Sequence, residues 1–168
     1  MSFSPVPRFS FHRITEIPPC FANGLGVSFI MLDLDNTIAT YNEHAPSDDV
    51  RKWADEMAAS GVELFIVSNS RREKRVKAFA EALNIGFIKA ARKPSPEGLL
   101  CAMKTAGYGV GESAFIGDQV YTDALAANRA GIISIIVRPR SLKNPFLALR
   151  YALESPFRAA RKTAASNT

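Results

Sequence analysis

The sequence predicts a doubly wound α/β domain built on a five-stranded parallel sheet. Three observations carry this expectation. Strand-like and helical patterns alternate along most of the chain, the strand runs are apolar throughout as in strands covered on both faces, and polar residues punctuate the strand ends.

The first strand begins in Ser28-Phe29-Ile30-Met31-Leu32 and stops at Asp33, Asp35 and Thr37. Val50, Trp53, Ala54, Met57 and Ala58 repeat at helical spacing before Gly61, which predicts a helix from Asp48 to Ser60. Val62 to Val67 forms the second strand, ending at Ser68. Ser70 and Glu73 have the spacing of a capping box, opening a helix with the face Val76, Phe79, Ala80 and Leu83. A short strand from Gly86 to Ala90 follows. Lys93-Pro94-Ser95-Pro96 leads into a helix carrying Leu99, Leu100 and Met103, which stops near Gly107. Ala114 to Ile116 is the fourth strand, ending at Gly117-Asp118. A helix from Asp123 to Ala130 stops at Gly131, and Ile132 to Val137 is the fifth strand. Gly24-Leu25-Gly26 precedes the first strand, so it reads as a connector and not as a dinucleotide loop.

With 168 residues and 47% hydrophobic content, the chain is expected to form one soluble domain with a real core. Cys20 and Cys101 lie in no metal or redox spacing and read as ordinary thiols of a reducing compartment. The first residues lack an apolar signal core, which argues against secretion, so a cytoplasmic protein, at most peripheral at a membrane, is expected; Arg8, Arg13 and the serines leave a short organelle-targeting segment as the alternative, interrupted by Glu16 and the prolines. Charge is uneven: residues 1–137 hold 14 Lys and Arg against 15 acids, while residues 138–168 hold 7 against 1. Three segments follow: an N-terminal stretch (1–26), the α/β domain (27–140) and a basic tail (141–168). In the tail, Phe146, Leu149, Leu153, Phe157 and Ala160 share one helical arc, with Lys143, Arg158, Arg161 and Lys162 beside it. Pro156 is expected to break or kink this segment into two short helices. Such a segment either lies on an anionic membrane surface or packs against the sheet or another subunit. Basic charge without a recognition motif is a weak argument for nucleic acid.

Parallel strands all end on one rim, so Asp33, Asp35, Thr37, Ser68, Lys93, Asp118 and Asp123 can converge there. An aspartate there can attack a phosphoryl group, and a second acid can move the proton of the leaving oxygen. The motifs Asp33-Leu34-Asp35-Asn36-Thr37, Ser68, Lys93-Pro94 and Gly117-Asp118 with Asp123 resemble the four motifs of the haloacid-dehalogenase (HAD) superfamily, over residues 28 to about 137. The resemblance implies a Rossmannoid sheet of order 5-4-1-2-3 and an aspartyl-phosphate intermediate. Asp33 is the implied nucleophile and Asp35 the acid and base. Thr37, Ser68, Asn69 and Lys93 are expected at the phosphate. Asp33, Asp118, the main-chain carbonyl of Asp35 and Asp123, directly or through water, are expected to hold Mg²⁺.

The segments 36–47 and 68–93 leave no room for an inserted cap domain, so the site should be open to a large or membrane-held phosphate, or be covered by a second subunit. Val67-Ser68-Asn69, Lys89 to Pro94 and Gly117-Asp118-Gln119 look like the YqeG-like branch of subfamily IIIA, which includes phosphatases acting on phosphatidylglycerophosphate. The rival expectations are a phosphatase of soluble nucleotides, sugars or phosphoproteins, and a non-catalytic interaction protein with the same fold. His12 and His44 have no ligand-spaced partner. The run Arg71-Arg72-Glu73-Lys74-Arg75 either draws in an anionic substrate or forms a solvated helix face.

Overall fold

The computed structural model describes residues 4–159. The sheet has six parallel strands: β1 (Phe9–Phe11), β2 (Phe29–Leu32), β3 (Glu63–Val67), β4 (Gly86–Ile88), β5 (Ser113–Gly117) and β6 (Ile133–Val137). Their spatial order is β1-β6-β5-β2-β3-β4. The five expected strands stand in the expected order, and the correction is the sixth. Phe9, Ser10 and Phe11 pair in parallel with Ile135, Ile136 and Val137. Three residues are too few to declare a strand by pattern, and the pairing partner lies more than 120 residues away.

The helices are α1 (Pro19–Gly24), α2 (Asp48–Ala59), α3 (Glu73–Leu83), α4 (Glu97–Ala106), α5 (Leu125–Ala130) and α6 (Pro145–Ala159). Strand alternation splits the core in two. Ile30, Leu32 and Ile66 face α2 and α3 through Val50, Trp53, Met57, Val76 and Phe79. Phe29, Met31, Phe65 and Phe115 face α4 and α5 through Leu99, Met103 and Ala127. Both faces being covered accounts for the unbroken apolar runs. Trp53 donates its indole N–H to the Ile17 carbonyl at 2.9 Å, tying the N-terminal segment to α2.

Three local expectations are corrected. The Ser70–Glu73 capping box does not form, because α3 starts at Glu73 itself, whose carboxylate pairs with Lys89, while the Ser70 hydroxyl accepts the Arg72 N–H. The helix expected from Asp123 opens instead as a π-helical turn, Val120–Ala124, before α5. Asp123 is turned back to accept the N–H groups of Asp118 and Gln119, which holds that turn wide. Pro156 does not break the tail: α6 runs through it. Beyond the proline, Arg158 is fixed by Glu154 at 2.9 Å, by the carbonyls of Val137 and Asp118, and by the Tyr151 ring. Ala160, Arg161 and Lys162 lie outside the described residues.

No cap domain interrupts the described chain between β2 and α2 or between β3 and β4. No helix among the described residues is long and apolar enough to cross a membrane.

Candidate active site

The strand ends carry most of the expected residues to one place. A pocket of about 80 Å³ is lined by Asp33, Asp35, Ser68, Asn69, Lys93 and Asp123, with Tyr41, Ser70, Gln119 and Thr122. Asp33 leaves β2 still bonded to the sheet, its N–H donating to Ile116 at 2.8 Å. Carboxylate oxygens of Asp33, Asp118 and Asp123 all lie within 4.8 Å of one another, and all three residues are buried. Lys93 bridges two of them, with Nζ at 2.7 Å from Asp33 and 2.9 Å from Asp123, and it lies over the Phe115 ring.

Lys93 is held by a strained loop. Ala90 and Arg92 have φ of 50° and 59°, a region that costs non-glycine residues about 1–2 kcal/mol each. The Ala90 and Ala91 N–H groups donate to Ser70 and Ser68, and Asn69 clamps both main-chain groups of Lys93, accepting its N–H at 2.8 Å and donating to its carbonyl at 3.0 Å. Asn69, expected at the phosphate, thus has both amide atoms engaged in positioning Lys93. Thr37 is not brought to this pocket. Asn36 takes a left-handed conformation, φ 63°, which reverses the chain, and Thr37 lines a separate cavity with His12, Arg13 and Arg138. His44 is exposed.

Sequence reasoning missed Arg75 as an individual. From α3 it donates to Asp35 at 2.6 Å and to the Thr40 carbonyl at 2.8 Å. The basic run after Ser68 was the available signal, but the sequence does not say which member turns toward Asp35. Tyr41 was missed too, since nothing around it has a pattern. Gly117 has a close-approach role: a Cβ there would overlap the Asp123 carboxylate.

Burial pushes the Asp33 carboxyl up to about 7, with Asp123 and Asp35 adding to the rise and the Lys93 ammonium opposing it. Burial, with Asp123 and Asp33, likewise holds Asp118 well above the ordinary carboxylate range. For Lys93 burial pulls downward, but Asp123 and Asp33 outweigh it and the ammonium is held above the usual lysine value. One oxygen of Asp118 is buried without a hydrogen-bond partner. An orphaned buried carboxylate oxygen next to a second carboxylate is the donor set a hard divalent cation takes.

The folded metal-free protein therefore holds protons on Asp33 and Asp118 that the unfolded chain releases at lower pH. Its stability is expected to be greatest below pH 4 as far as these two groups are concerned, and to fall as pH rises toward 7. Thermal unfolding in a chelator should show a lower Tm at pH 8 than at pH 5 over this contribution. Excess Mg²⁺ should raise Tm more at pH 8, where it displaces fewer protons. Equal Mg²⁺ effects at both pH values would contradict the proton count.

A parallel α/β sheet with a buried aspartate–lysine–aspartate cluster at its carboxyl edge suits phosphoryl transfer to a carboxylate, and phosphomonoester hydrolases are one class built this way. The model of the haloacid dehalogenase-like hydrolases matches residues 11–131, and the chain belongs to that family. It is 36% identical over 135 residues to the probable phosphatase YqeG of Bacillus subtilis (strain 168), covering 80% of this chain and 78% of that protein. Among solved structures, a protein from Listeria monocytogenes serotype 4b superposes with a TM-score of 0.56 at 18% identity, over 71% of this chain and 80% of that one. The 3-deoxy-D-manno-octulosonate 8-phosphate phosphatase of Moraxella catarrhalis, solved with magnesium and phosphate ions, superposes with a TM-score of 0.51 at 16% identity, over 88% and 94% of the two chains. At these identities the two structures speak to the fold. The chain is a phosphatase of the HAD family, whose cofactor is Mg²⁺.

Proposed function

We propose that the protein hydrolyses the terminal phosphate of phosphatidylglycerophosphate, or of another anionic lipid, through a phosphoenzyme on Asp33. The observation that carries the lipid reading is an exposed apolar stripe on α6. On α6, Phe146, Leu149 and Leu153 are 81%, 61% and 62% exposed. Their spacing places them on one stripe. The single acid of the tail, Glu154, is buried against Arg150 and Arg158, so α6 presents no exposed carboxylate beside the stripe, and Lys143 just before it is exposed. Arg150, Tyr151 and Glu154, on the inward side of the same helix, meet Asp118 and Gln119 across a small cleft, so α6 packs near the pocket while its stripe faces outward. Apolar side chains edged by cations suit an anionic lipid interface, each cation near the surface adding about 1 kcal/mol.

In the reaction, a carboxylate oxygen of Asp33 attacks phosphorus and the bond to the leaving oxygen breaks. Asp35 gives its proton to that oxygen. Water then attacks the aspartyl phosphate, Asp35 takes back a proton, and the bond to Asp33 breaks to release inorganic phosphate. Lys93 holds Asp33 in place and offsets the negative charge of the phosphoryl group, and the Ser68 hydroxyl donates to a phosphoryl oxygen. Asp33, Asp118 and the Asp35 carbonyl would hold Mg²⁺, with Asp123 orienting Lys93 and Asp118; the ion supplies positive charge to the phosphoryl oxygens when bound.

A panel comparing phosphatidylglycerophosphate in vesicles with soluble nucleotide, sugar and phosphopeptide monoesters tests the substrate. Preference for the lipid supports the proposal, and preference for a soluble ester replaces it. Deleting the tail would also remove Arg158 from Asp118, so the membrane test uses the triple variant Phe146→Ser, Leu149→Ser, Leu153→Ser. It should bind vesicles rich in anionic lipid at least about tenfold more weakly while hydrolysing a soluble ester at the wild-type rate. Unchanged vesicle binding would remove α6 as the docking element.

A further inference from the structure

The catalytic pocket, at about 80 Å³, holds little more than a phosphoryl group. The rest of the ester must leave it, and the walls show one direction. Asp35, Tyr41, Asn69 and Ser70 line both this pocket and an adjoining open groove of about 580 Å³, whose remaining lining is Asn42, Arg72 and Arg75. In the reaction proposed above, Asp35 faces the leaving oxygen, so the groove on its far side receives the leaving group.

That groove is positively charged. Arg72, just before α3, and Arg75, in its first turn, both line it. The acid on the same turn, Glu73, is drawn away to Lys89. Asp35 is the carboxylate that Arg75 meets, at 2.6 Å, and the Arg75 side chain is only 10% exposed. To serve as the acid, Asp35 takes up a proton from solvent and turns to the leaving oxygen; Arg75, part-buried, then faces no carboxylate, and its Nε already lacks a hydrogen-bond acceptor. An unpaired, largely buried cation is costly, so a second anion is needed to replace the carboxylate.

We infer that Arg72 and Arg75 form a subsite for a negative charge carried by the leaving group of the substrate, a phosphodiester or a carboxylate a few bonds from the scissile oxygen. Arg75 is a positioning residue for Asp35 in the free enzyme and exchanges that partner for the substrate anion. The inference rests on the proposed role of Asp35. It also deepens the lipid reading, since the leaving group of phosphatidylglycerophosphate carries a phosphodiester.

The test uses two small soluble esters of matched size, 2-phosphoglycolate, whose leaving group is an anion, and 2-hydroxyethyl phosphate, whose leaving group is neutral. The wild-type protein with Mg²⁺ should favour the anionic ester in kcat/KM by about tenfold or more, equivalent to about 1.4 kcal/mol. Arg72→Gln, at an exposed position, should narrow that ratio through KM, and Arg75→Gln should narrow it further. Raising NaCl to about 1 M, where the Debye length is about 3 Å, should narrow it as well. Turnover of both esters without preference, or an equal fall on both in the two variants, overturns the subsite and leaves the phosphatase reading standing. No turnover of either ester, nor of any ester in the panel above, overturns both.

Discussion

Asp33→Asn is expected to lower the rate of phosphate release by about 10⁴-fold or more while leaving the fold intact. Removing a nucleophile that forms the covalent intermediate costs about as much as removing the whole catalytic unit it belongs to. The substitution is nearly isosteric, and Lys93 keeps Asp123 at 2.9 Å, so the buried ammonium retains a carboxylate. Stability should even rise slightly in a chelator at pH 8, because the carboxyl that burial pushes up to about 7 is no longer there to be ionised. Two measurements separate these effects: steady-state phosphate release, and acid-quenched trapping of a labelled phosphoenzyme, which should form on the wild type and be absent from the variant. A variant that keeps more than about one hundredth of the activity would remove Asp33 from the role of nucleophile.

Lys93→Met is expected to have the largest effect on stability. It replaces a buried ammonium, on a side chain only 1% exposed, bonded to Asp33 and Asp123 and lying over Phe115, with a side chain of similar length and no charge. Two buried carboxylates are then left facing each other and Asp118. Breaking a buried pair by removing one partner costs about 3–5 kcal/mol, which for a chain of this size is a fall of about 10 °C in Tm. The loss should be greater at pH 8 than at pH 5, because protonating the orphaned acids relieves it. Urea unfolding followed by circular dichroism at both pH values, in a chelator, reads this directly. Equal midpoints for variant and wild type at pH 8 would mean that Lys93 is not what holds the cluster together.

The parts of this molecule legible in the sequence are those governed by local pattern. The runs ending at Asp33, Ser68, Gly117 and Val137 marked strands, because a strand buried on both faces is almost wholly apolar; their spatial order followed from the resemblance to the HAD superfamily. The convergence of Asp33, Lys93 and Asp123 followed from parallel topology alone. What stayed hidden depends on distant partners or on one backbone angle. Phe9 to Phe11 is a strand only because β6 is there to pair with it. Thr37 sits within the same motif as Asp33, yet the left-handed turn at Asn36 carries it to another cavity. Arg75 reaches Asp35 across 40 positions of sequence. Pro156 argued for a break, and the anchoring of Arg158 to the carbonyls of Val137 and Asp118 outweighed the missing hydrogen bond.

The sixth strand also bears on how copies of this chain meet. Without β1, the five-residue β6 would be an outer strand, with a row of unpaired main-chain groups beside a run of isoleucine and valine. Such a border is a template on which another molecule can extend the sheet. With β1 in place both borders, β1 and β4, are three residues long. Phe9 to Phe11 therefore acts as an edge guard, and edge-to-edge stacking into fibrous aggregates is discouraged at both sides of the sheet.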